Sequence, residues 1–105
     1  MSSGGRRGAR GLNITSLPYK VKVYSNNQVL VPAQLVRSLG IQDIEYAEIT
    51  IRHASSTVSF VARLLKTRFT DSRQFTIPKE VREKIGVAPG MEIEVVEIKP
   101  ASSVT

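Results

Sequence analysis

Hydrophobic and polar residues alternate along much of this chain, and twice the alternation breaks at a proline into a helical spacing. The clearer stretch runs from Gln74 to Val87, QFTIPKEVREKIGV. Phe75 and Ile77 fall on one side of a half-buried strand. Pro78 cannot donate to a ladder but suits the start of a helix, so it ends one element and opens the next. Val81 and Ile85 are four apart and share a helical face, and Gly86 suits a left-handed helix end. A looser copy occupies Gln28 to Ile41, with Val29 and Val31 as the strand face. Aligning Pro32 with Pro78, 46 positions on, also aligns Gln28 with Gln74, Val31 with Ile77, Leu35 with Val81, Leu39 with Ile85, Gly40 with Gly86 and Ile41 with Val87. This is an internal repeat. Each helix spans about two turns, too short to persist alone in water, so packing must hold it as a plug over the end of a sheet or barrel.

The remaining elements follow from the same periodicities. Tyr19, Val21 and Val23 alternate with Lys20 and Lys22, a strand with one wet basic face, and Ser25 to Asn27 form a turn. Ala47, Ile49 and Ile51 mark a third strand, followed by a turn at His53 to Ser56. From Thr57 to Arg68 the pattern predicts two strand segments or one bent strand. Thr70 to Arg73 form the second turn. Ile93 and Val95 line one face of the last strand, with Glu92, Glu94 and Glu97 on the other. The tail at 100–105 reads as loose, and residues 1–13, rich in Gly, Ser and Arg, read as a disordered arm. One domain at 14–99 is expected, with unit one at about 19–58 and unit two at about 59–98.

Composition narrows the classes. The chain is 41% hydrophobic, as in an ordinary globular protein, and no apolar run approaches the roughly 20 residues of a membrane helix. No secretory pattern is visible at the start, and the lack of cysteine fits a cytoplasmic protein and removes thiolate metal sites. A single histidine leaves no zinc cluster, and no metal or cofactor is expected. The net charge of +6 is concentrated. Arg6, Arg7 and Arg10 face no acid in residues 1–11, and Arg63, Lys66, Arg68 and Arg73 face only Asp71 in residues 59–73. Such a local excess points to a polyanionic partner.

The stretch Thr76 to Val95, TIPKEVREKIGVAPGMEIEV, resembles the SpoVT/AbrB-like unit: a strand ending in Ile-Pro, a short charged helix ending in Leu-Gly (Ile85-Gly86 here), a Pro-Gly-Asp turn and a strand. Met91 stands where that family usually has an acid, and in the first copy the Pro-Gly turn is replaced by Gln42 to Tyr46. The resemblance covers residues 19 to 98. Relatives with one such unit per chain form homodimers with interleaved hairpins. Two units on one polypeptide therefore predict a mainly β fold: a small closed pseudo-twofold β-barrel from two tandem ββαβ units, each with one short helix. A swapped homodimer of the whole chain is the alternative.

The resemblance implies a prokaryotic DNA-binding protein, a transcription regulator or nucleoid-type binder. Its basic surface would come from the first strands, the turns and the helix starts. Carried over by position, Arg82 and Arg37 match helix arginines, and Gln28 and Gln74 stand where a strand arginine is usual. Lys20, Lys22, Lys66 and Arg68 are neighbours of the basic position of the first strand, Arg73 adjoins Gln74, and Lys79 begins the second helix. Arg6, Arg7 and Arg10 would form an arm that follows the backbone of double-stranded DNA. Each has a plainer reading: Lys79 and Arg82 could pair with Glu80 or Glu83, Lys20 and Lys22 could merely solubilise a sheet, and the arm could be a solvated tail or a cloning remnant. Catalysis is not expected, because there is no Cys, the one His lies in a turn, and neither Gly-x-Ser-x-Gly nor a phosphate-cradling glycine loop occurs. A non-enzymatic protein-interaction barrel is the competing class.

Overall fold

A computed structural model describes residues 14–68 and 70–102. In chain order the elements are β1 (Tyr19–Lys22), β2 (Gln28–Val31), α1 (Ala33–Leu39), β3 (Tyr46–His53), β4 (Ser56–Arg63), β5 (Leu65–Lys66), β6 (Arg73–Thr76), α2 (Lys79–Ile85) and β7 (Glu92–Ala101). Among the described residues the fold is mainly β, with two sheets and two helices. One antiparallel sheet has the order β1-β7-β3-β4, the other β2-β6-β5. No helix among the described residues is long and apolar enough to cross a membrane.

The two copies fold alike. Pro32 and Pro78 have identical backbone angles (φ −60°, ψ 149°) and precede helices of seven residues each. Gly40 and Gly86 end them in the left-handed region, at φ 67° and 72°, where a side chain would be strained. Just beyond, the amides of Ile41 and Val87 reach back to the carbonyls of Val36 and Arg82 at 3.1 and 3.0 Å, closing each helix in the same way.

The copies also meet in a specific register. Strand β2 pairs antiparallel with β6 as Gln28↔Thr76, Val29↔Phe75, Leu30↔Gln74 and Val31↔Arg73. Moving every residue by the repeat offset turns Gln28↔Thr76 into Leu30↔Gln74 and leaves Val29↔Phe75 on itself. Val31↔Arg73 becomes Asn27 against Ile77, and the Ile77 amide does donate to the Asn27 carbonyl at 3.0 Å. The ladder is therefore symmetric about Val29 and Phe75, and each repeat supplies the other's pairing strand.

Both sheets bury one parity of their strands in a common core. Val29, Val31, Phe75 and Ile77 come from the small sheet and its exit, and Ile49, Ile51, Ile93 and Val95 from the large one. Leu35, Val36 and Ile85 descend from the helices. Phe60 and Phe75 stack obliquely across the sheets, 6.0 Å between ring centres. An extra residue in β7, where the register with β3 shifts beside Thr50 and Ile51, adds local twist.

The ladders among the described residues form two sheets, and one expectation, about the tail, needs correction. At Leu64 the chain leaves β4, which pairs with β3, and its continuation β5 joins β6, so the expected bent strand is the corner between sheets. The last strand also passes through Pro100 to Ala101, where a loose tail was expected. Proline is tolerated there because β1 covers β7 only from Glu92 to Val95, leaving one side of β7 as an edge farther along.

One buried polar group ties the strands together. The Tyr19 phenol donates to the Leu30 carbonyl at 2.7 Å, linking β1 to β2. Burial pushes its pKa well above the ordinary 10. The folded protein thus holds this proton more tightly than the unfolded chain, and stability falls as pH rises past about 10. Tyr19→Phe should cost about 1 kcal/mol at neutral pH and flatten that alkaline decline, read by urea midpoints between about pH 8 and 11. An identical alkaline decline in the variant would exclude Tyr19 as its source.

Candidate nucleic-acid interface

The alternation that buries Val29, Val31 and Phe75 turns their neighbours outward. Gln28 and Leu30 on β2, Gln74 and Thr76 on β6 and Leu65 on β5 share the exposed face of the small sheet. Gln28 and Gln74 are symmetry mates in the ladder. The Gln28 amide donates to Thr76 Oγ1 at 3.3 Å and accepts from Asn26 Nδ2 at 3.0 Å. Thr76, Leu30 and Leu65 were not among the expected site residues. Period-two parity with Gln28 and Gln74 would have found the first two.

Helix α2 opens beside this face. Pro78 lies in a shallow depression with Thr76 and Leu65, and Lys79 follows it, exposed. Arg82 does not pair with Glu80 or Glu83, and neither does Lys79. Instead Arg82 Nε donates to the Ile77 carbonyl at 3.0 Å, which fixes the side chain against the strand exit. Lys66 is exposed on β5, and Arg68 is exposed just beyond.

Four expected residues are placed differently. Lys20 and Lys22 lie on the large sheet, directly across from Glu94 and Glu92. Glu94 also pairs with Arg52 at 2.6 Å, so this face is of mixed charge. Arg37 pairs with Asp71 at 2.9 Å, both about half exposed, which neutralises its charge while contributing little stability. Arg73 is 5% exposed. Its Nη1 donates to the carbonyls of Asp71 (2.7 Å) and Ser72 (3.0 Å), and its Nη2 to that of Gln42 (2.9 Å). It clamps the turn before β6 to the loop after α1 and cannot replace a strand arginine on the open face. Val36, aligned with Arg82, is fully buried, so the first repeat has core where the second has a cation. Arg6, Arg7 and Arg10 lie outside the described residues.

Gln28, Gln74, Lys79 and Arg82 thus belong to the open face of the small sheet and the helix that opens beside it, whereas Lys66, paired across from Arg73, points to the other face, with Arg68 beyond it. The arrangement offers amide groups at the centre and positive charge toward the α2 side. No family model and no curated protein matches the chain. The solution structure of PHS018 from Pyrococcus horikoshii is similar in fold, with a TM-score of 0.59 and 22% identity over 82% of this chain and 95% of that one.

Proposed function

We propose that the chain binds double-stranded DNA through the exposed face of its small sheet, as a transcription regulator or nucleoid-type protein of SpoVT/AbrB-like kind. On this reading the two sheets are parts of a pseudo-twofold barrel of two ββαβ units, the single-chain counterpart of a homodimer. The observation that carries it is the symmetric ladder presenting Gln28 and Gln74 as mates, with Lys79 opening α2 and Arg82 one turn on. Amide side chains can bond base edges or phosphates, and the cations supply the sequence-independent attraction. The charge is lopsided, because Ala33 and Val36 occupy the places of Lys79 and Arg82 in the first repeat. The expected target is therefore not a true palindrome, and phosphate contacts dominate over base reading.

Fluorescence anisotropy with a labelled duplex tests this. Neutralising about four phosphates should lower affinity about a hundredfold between roughly 50 and 200 mM salt. The Lys79→Ala/Arg82→Ala pair should weaken binding about tenfold and flatten that salt slope. Absence of binding at low salt, or binding indifferent to salt, would overturn the proposal.

A protein-interaction role has one observation in its favour. Leu30 and Leu65 flank Gln74 on the same face, half exposed, and phosphate contact has no use for them. Recovery of a protein partner after nuclease treatment, lost in Leu30→Ser/Leu65→Ser, would favour that role.

A further inference from the structure

Lys66 and Arg73 face one another directly across β5 and β6. Like charges in that position repel unless something negative lies between them. Arg73 is buried, and its three acceptors are all backbone carbonyls. No carboxylate comes within 4 Å of either cation among the described residues. A buried charge without a counter-ion is costly, and carbonyl dipoles offset that cost only in part. Both cations line a cleft of about 500 Å³ between β5 and the loop after α1. Arg63 stands at the same cleft but is already paired with Glu45 at 3.2 Å. Asp43 is the other acid there and has no ion-pair partner among the described residues.

We infer that this cleft binds a phosphate group between Lys66 and the guanidinium of Arg73. A phosphate is doubly suited. It supplies the missing negative charge, and its several oxygens can accept from the ammonium and from guanidinium N–H groups not committed to carbonyls. The clamp on three carbonyls holds the guanidinium in place beforehand, so little ordering is needed on binding. Asp43 opposes the anion, which makes affinity tunable from the loop side. The inference rests on the DNA reading only for the source of the phosphate, which is a backbone phosphodiester or a free phosphate.

Amide NMR of the full chain, titrated with inorganic phosphate at constant ionic strength, tests it. Saturable shifts confined to residues 42–45, 65–66 and 73 are expected. Lys66→Ala, an exposed position, should weaken binding about tenfold with the spectrum otherwise intact, and Asp43→Asn should tighten it. Non-saturating shifts scattered over all basic residues would overturn the inference, as would titrations unchanged in Lys66→Ala. A short duplex added at phosphate saturation identifies the source. Reversal of the phosphate shifts assigns the site to the polynucleotide backbone. Persistence of those shifts assigns it to free phosphate, whether the duplex binds elsewhere or fails to bind. In the last case the DNA reading falls while the phosphate site stands.

Discussion

Phe75→Ala should cost the fold about 3–5 kcal/mol, a large part of the roughly 5–15 kcal/mol that holds a small domain together. Phe75 is fully buried, faces Val29 across the ladder and leans on Phe60. The symmetry of the ladder permits a sharper test. Val29 and Phe75 sit at equivalent points of the two repeats, so exchanging them conserves volume at the centre. Val29→Phe alone should overpack the centre by about 1–3 kcal/mol. Phe75→Val alone should leave a hole worth about 2 kcal/mol. The double exchange should recover part of the combined loss, with a coupling of about 0.5–3 kcal/mol in urea denaturation. It should not recover all, because Phe60 packs against Phe75. Additive losses would mean that the two side chains do not share one space.

Arg73→Met is expected to destabilise the protein by about 3 kcal/mol. The change leaves the carbonyls of Gln42 and Asp71 without this donor, while that of Ser72 keeps Thr67 Oγ1 at 3.3 Å, and an unmet acceptor costs about 1–3 kcal/mol. Arg73→Lys keeps the charge, but one ammonium cannot span acceptors fixed for a planar fork, so it should restore less than half. Chemical denaturation measures both, and amide exchange should quicken first in residues 42–45 and 71–72. Unchanged stability in Arg73→Met would remove the clamp from the account.

The local architecture was legible because it is written in short-range chemistry. Proline, a four-residue apolar spacing and glycine fixed both helices to within a residue. Alternation fixed the strands and the inward faces at Val29, Val31, Phe75 and Ile77. The burial of Arg73 is legible in the alternation, because it shares its parity with Phe75 and Ile77, which face inward. Val36 was likewise legible as core, since Leu35, Val36 and Leu39 make a wide apolar stripe on α1. Other features depend on partners far along the chain. Glu94 and Glu92 opposite Lys20 and Lys22, and Asp71 beside Arg37, follow from strand pairing and turn placement that no local pattern encodes. The division into two sheets turns on one bend at Leu64, where a long apolar run gives no sign of changing neighbours.

The reciprocal pairing of β2 and β6 has a consequence for synthesis. A nascent chain that ends before Thr76 has made the whole first copy, yet Val29 and Val31 still lack their partner strand. The small sheet closes only once the second copy has been translated as far as Thr76.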